Sequence, residues 1–350
     1  MLNMDKSCNF RALRAPWCMR RAFADLLLLC VASSQMALDG SEETCRDAMR
    51  VRRVVAAGVA HPFGDERTVN QAFPNPIPAE EADPFLMCDQ YSKVSDGIAR
   101  SPDDFPVDWH PHRGMDILSY LKSGIGRHGD SMGNRESFHT PGMQWCSCGS
   151  GIEHAEGGGT PAGDRLAGFQ IWINVPARLK MRDPKYGTNP PADIPQHELA
   201  PAARARLLAG PLGEERGPFT TAAEVSIIDF ELGPGARLVH RVPPGLETCL
   251  LYVYEGSAAV NGQEAPLQSV VALELLAGPE GLSALLFAGK RLNEPIAWHG
   301  PIVMSTQEQL RETFGEMRAG RFPPKRAAWD YKRLADFPKD HPATQSQLGH

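Results

Sequence analysis

The chain sets two pairs of candidate metal ligands at the same short spacing: His110 and His112 in His110-Pro111-His112-Arg113-Gly114, and His154 and Glu156 in His154-Ala155-Glu156. In a strand, residues i and i+2 point to one face, so each pair can converge on one point where the backbone is extended. Pro111 favours that geometry, because the residue before a proline is pushed out of the helical region. About a barrel's worth of strands separates the two pairs. Three imidazoles and one carboxylate form a mixed nitrogen and oxygen set suited to a divalent transition metal. Four protein ligands leave positions on an octahedral ion for water, oxygen or substrate.

The rest of the sequence is consistent with a β-rich globular chain. Its 350 residues suffice for a large core or two domains. The 33 Gly and 30 Pro are spread along the chain, as expected for many short strands joined by turns. A net charge of −6 with no clustered Lys/Arg argues against direct nucleic-acid binding.

Residues 1–57 differ in character. Lys6, Arg11, Arg14, Arg20 and Arg21 precede an apolar run at 26–32 that is too short to span a bilayer. This fits a secretory or organelle targeting segment, or a disordered extension. Four of the eight Cys lie there, and the remaining Cys88, Cys146, Cys148 and Cys249 form no disulfide framework.

Short apolar runs between glycine-rich turns predict strands at 117–121, 143–148 and 169–175, with His128 and Asp130 in a turn. Residues 181–223 read as a connector containing one helix at 200–208. A second strand-rich block spans 224–322, with strands at 225–232, 249–255, 258–260, 270–276 and 284–288 and an Asn261-Gly262 hairpin turn. Its His240 has no second His two residues away and reads as structural. Ser305 and Glu308 form a capping-box pattern for a helix over 305–319, ended by Gly320. Residues 323–350 read as a mobile tail.

The segments around the histidines resemble the pirin family, a branch of the cupins. HPHRGMDILSYLKSG, HGDSMGN, PGMQW and GSGIEHAE follow in the family's order, between DPFLMCDQY upstream and GFQIWINVPARLKMRDPKY and NEPIAWHGPIVMSTQEQL downstream. The resemblance implies an all-β chain of two tandem cupin barrels (double-stranded β-helices) with a few short helices. The first barrel, at 58–180, would bind metal and the second would not.

By the same resemblance His110, His112, His154 and Glu156 match the positions that hold one iron ion, with other divalent transition metals as substitutes. Where the family usually has Phe-Glu after HPHRG, this chain has Met115-Asp116, so Asp116 is a rival carboxylate to Glu156. Being one methylene shorter, it reaches less far. The family favours Met-Thr-Ala-Gly after Gln-Trp; here stand Cys146-Ser147-Cys148-Gly149, which read as core packing. Gln144 and Trp145 line or support the pocket, although Trp145 is equally explicable as a core aromatic. Arg113 either anchors an anionic group or pairs with Asp116.

The implied activity is that of quercetin 2,3-dioxygenases. Iron and oxygen would open a flavonol-like enediol with release of carbon monoxide, and Glu156 would double as a base. The alternative is a non-enzymatic, iron-dependent redox-sensing binding protein or transcriptional co-regulator, which would have a protein partner. A monomer without a membrane span is expected in either case.

Overall fold

A computed structural model describes residues 67–98 except 76, 101–260 and 272–345, together with strands at 26–31, 51–56 and 61–63. The fold is built from antiparallel strands in two cupin-type domains whose sheets do not close into complete barrels. Among the described residues, no helix is long and apolar enough to cross a membrane.

The first domain has two sheets facing each other. Among the described residues one has seven strands, in which Met115–Ser123 lies between Gly142–Ser147 and the central Arg165–Asn174. The other has four, ordered Val107–His112, Ile152–Gly159, Ile125–Asp130 and Arg135–His139. Strand alternation gives the seven-stranded sheet two different faces. Phe169, Ile171 and Ile173 point one way with Leu118, Tyr120 and Met143. Ile117, Cys146 and Trp172 point the other way, into the first domain's interior.

The outward face packs against the second domain. Its residues share one core with Ile227, Leu250, Tyr252, Leu285 and Phe287 of the eight-stranded sheet. Phe73 and Phe85 each meet Phe287 edge-on at 5.3 Å. Polar groups at this junction are paired: buried Asp229 accepts from Tyr120 Oη at 2.7 Å, Tyr254 Oη at 2.6 Å and Lys122 Nζ at 2.6 Å. The second domain's own interior is filled by Ala205, Leu207, Ile228, Phe230, Leu251 and Leu286.

Several expectations need correction. Residues 200–208 form no helix; Gln196–Ala200 and Ala203–Ala209 are paired strands. Ala203, Ala205 and Leu207 are buried while Arg204 is exposed, a period of two that outweighs the helix propensity of Ala and Arg. The connector is therefore structured: Lys185–Asn189 joins the first sheet and these two strands join the second. Strand Val225–Leu232 forms as expected. Asn261 and Gly262 lie outside the described residues, and Val260 pairs with Leu275 rather than with a residue just past them. The apolar run at 26–32 forms the strand Leu26–Val31, paired with Thr248–Val253; most of 1–57 lies outside the described residues.

The late helix spans Gln307–Arg318. Its capping box is Thr306 with Gln309, one residue later than the Ser305–Glu308 pair, which fits the same pattern in sequence. The tail is not a free end. Tyr331, Phe337 and Ala343 are buried, so aromatic burial holds it down where its polar composition alone predicts mobility.

His240 sits in the second domain with its Nε2 unbonded among the described residues and its ring edge-on to Phe230 at 5.3 Å. Burial holds its pKa at about 4, below the ordinary 6.5. The folded state thus resists a proton that the unfolded chain accepts, so the neutral form's contribution is full above pH 6.5 and is lost as pH falls toward 4. His240→Leu should reduce the acid sensitivity of unfolding in that window by up to about 3 kcal/mol. Denaturant melts of wild type and variant from pH 7 to 4 measure it, and parallel curves would contradict the assignment.

Candidate metal centre

The two ligand segments lie on adjacent antiparallel strands of the four-stranded sheet, with His154 directly opposite His110. One ligand atom from each of His110, His112 and His154 falls within 4.8 Å of the others. His110 is half-buried and the other two are buried. Two of the rings have their outer nitrogens tied to backbone carbonyls: His110 Nδ1 to Asp108 at 2.7 Å and His112 Nδ1 to Pro301 at 3.2 Å. A carbonyl only accepts, so each Nδ1 carries the proton and each Nε2 presents a lone pair.

The inner nitrogens fit a metal ion. His112 Nε2 is buried without a partner among the described residues, and His110 Nε2 lies 2.9 Å from His154 Nε2. Metal–nitrogen bonds of about 2.1 Å at right angles put neighbouring nitrogens roughly 3 Å apart. Burial holds His112 and His154 well below the ordinary imidazole range, and the neighbouring imidazoles add to the effect. Both are therefore neutral, as ligands must be.

Glu156 stands on the same strand as His154, and its carboxylate is held in the domain interior outside the three-histidine group. Gln170 Nε2 donates to Oε1 at 2.7 Å; Gln144 Nε2 donates to Oε2 at 2.7 Å, joined by Ser119 Oγ at 3.3 Å. Oε1, with one donor, keeps a lone pair for a further contact. Beyond the carboxylate lies a cavity of about 60 Å³ lined by Val69, Leu121, Phe138 and Leu166.

The other candidates have separate fates. Asp116 is buried against Arg182, which donates to Oδ1 at 2.5 Å, while the Ala222 amide donates to Oδ2 at 2.8 Å. Burial pushes its pKa up, against the opposing pull of Arg182. Arg113 does not pair with Asp116. Its guanidinium donates to Ser150 O at 2.8 Å, Thr313 Oγ1 at 2.9 Å and Glu316 Oε2 at 2.5 Å, which ties the late helix to the first domain. Gln144 lies inside, as expected. Trp145 serves as a core aromatic: it stacks on Phe219 at 5.2 Å and donates to Asn189 Oδ1 at 3.1 Å. Cys146 and Cys148 are buried thiols with sulfurs 3.8 Å apart.

Two contributors escaped sequence reasoning, and a third, His128, reads in sequence as a turn residue. His128 belongs to strand Ile125–Asp130, stacks on Tyr186 at 3.8 Å and lies 5.3 Å from His154. Gln170 was legible in principle, as the one polar residue between Phe169 and Ile171 in an apolar strand. Pro301 was not, because its carbonyl arrives from the far end of the chain. That approach is close: Val303 N donates to Arg113 O at 3.0 Å. A Cβ on Gly114, whose φ is +81°, would lie 2.0 Å from Val303 O, so only glycine fits.

Comparison with known proteins finds similarity across both domains. The Pirin family description matches residues 66–173, and the Pirin C-terminal cupin domain matches 227–323. A Pseudomonas aeruginosa protein named "Putative quercetin 2,3-dioxygenase" is 33% identical over 291 residues, covering 77% of this chain and 98% of that one. A Caulobacter vibrioides "Pirin-like protein" is 34% identical over 255 residues, 70% of this chain and 89% of that one. A crystal structure of quercetin 2,3-dioxygenase from Acinetobacter baumannii superposes with a TM-score of 0.66 at 27% identity, covering 76% of this chain and 96% of that one.

Asp116→Asn should retain the metal-binding capacity of wild type and lower stability by roughly 2 kcal/mol, because Arg182 loses its buried partner. Glu156→Gln should weaken metal binding instead. Metal titration and thermal melts of both variants measure the pair, and the opposite ranking would make Asp116 the ligand.

Proposed function

Since the chain belongs to the pirin family of the cupin superfamily, we propose that it holds one iron ion through His110, His112 and His154, with Glu156 as the fourth ligand and potential base, and acts as a dioxygenase on flavonol-like enediols. The observation behind this reading is the convergence of three imidazoles, two of them held neutral by burial and each of those two with a buried nitrogen that has no partner among the described residues, beside a carboxylate oriented by two amides. When bound, the ion would supply a Lewis acid for an enol hydroxyl and the redox capacity for oxygen chemistry.

The chain's own residues then have distinct tasks. The Asp108 and Pro301 carbonyls fix the tautomers of His110 and His112. Gln144 and Gln170 hold Glu156 so that an oxygen can accept the enol proton. Trp172, edge-on to His112 at 5.2 Å, walls one side against water. The interior cavity of about 60 Å³ is smaller than the ~150 Å³ void that admits benzene. A three-ring flavonol therefore approaches from the half-exposed His110 side, and only its enediol edge reaches the centre.

The half-exposure of His110 also favours a second reading, an iron-dependent redox-sensing binding protein whose metal lies next to a partner surface. Oxygen uptake separates the two. Protein loaded anaerobically with Fe(II) and then given quercetin or smaller enediols should consume oxygen, and uptake should fall to background on chelation and in His154→Ala. No uptake above the metal-free control would move the assignment to the binding protein.

A further inference from the structure

The tail segment 327–337 lies beyond the C-terminal family match, which ends at 323. It crosses the outer side of the sheet that carries the histidines. Side chains alternate along those strands, so the neighbours of the inward ligands, Trp109 beside His110 and Glu153 beside His154, belong to the opposite face. The tail engages both. Tyr331 Oη donates to Glu153 Oε2 at 2.5 Å, and Lys332 Nζ donates to Glu153 Oε1 at 2.8 Å. The Tyr331 ring lies 5.4 Å from the Trp109 ring, and Lys332 Nζ sits 5.6 Å over the same indole.

A second set of contacts locks the tail to the loops beside these strands. Buried Arg135 donates to the Tyr331 and Lys332 carbonyls at 3.1 and 3.0 Å, and its other terminal nitrogen reaches Asp103 Oδ1 at 2.7 Å. The Leu334 amide donates to the same Asp103 oxygen at 2.9 Å, and the Ala327 amide donates to Ser131 O at 2.7 Å. Trp329 packs over Gly133, where a Cβ would lie 2.7 Å from the indole.

We propose that residues 327–337 form a strap that positions the metal ligands: Tyr331 and Lys332 clamp Trp109 to Glu153 and so hold His110 and His154 in register for one ion. This rests on the metal reading above. Tyr331 and Lys332 touch no ligand atom and act through the backbone of the two strands. Outer contacts of this kind are commonly worth 10- to 100-fold in metal affinity.

The test uses the full chain, with Co(II) alone as the probe because its visible spectrum reports ligand geometry. The paired change Tyr331→Phe with Lys332→Met keeps the apolar packing and removes both bonds to Glu153. Its Co(II) affinity should fall about tenfold with an altered visible spectrum, while the melting temperature of the metal-free protein stays close to wild type. Glu153→Gln, whose amide oxygen still accepts from Lys332 and whose NH2 can donate to the Tyr331 hydroxyl oxygen, should restore most of the affinity relative to Glu153→Ala. Wild-type affinity and spectrum in the paired variant would overturn the strap alone. A wild-type chain that takes up no Co(II) would overturn the metal reading and the strap with it.

Discussion

Imidazole lone pairs aimed at one point repel one another unless a proton or a cation lies between them. Here two of the three rings have committed their outer protons to backbone carbonyls, so their inner lone pairs are aimed at the shared space. Burial keeps His112 and His154 from solving the problem by taking protons. A cation resolves it directly. Much of the surrounding structure serves to keep these rings from turning away.

That support is drawn from distant parts of the chain. Pro301, 189 residues beyond His112, orients its ring. Lys180 is buried and bridges Gly114 O at 2.8 Å and Asn174 Oδ1 at 2.6 Å, closing the turn after the ligand pair. The late helix grips Arg113, the residue next to His112. The first domain supplies the histidines, while Pro301 and the late helix, both within the C-terminal family match, help to hold them in place.

How much was legible in the sequence follows from the range of each interaction. The His110/His112 pairing was readable because strand alternation is local, and Pro111 marks the extended backbone. Strand Val225–Leu232 was readable for the same reason. Residues 200–208 misled because Ala and Arg favour helices, while the deciding fact, the alternate burial of Ala203, Ala205 and Leu207, depends on a sheet the local sequence does not show. Of the two roles left open for Arg113, pairing with Asp116 fails for a similar reason: Asp116 is near in sequence, but Glu316 is near in space. The tail's polar character hid Tyr331 and Phe337, whose burial needs the rest of the fold.

The core shared by the two domains has a consequence for the protein's history. Leu118, Tyr120, Phe169 and Ile171 on one side and Leu250, Tyr252, Leu285 and Phe287 on the other form a single apolar layer. Released into water, either half would bare a broad greasy face of the kind that invites aggregation. The halves are therefore bound to a common fate. Exchanging one half alone would mean rebuilding the matching apolar layer on the other.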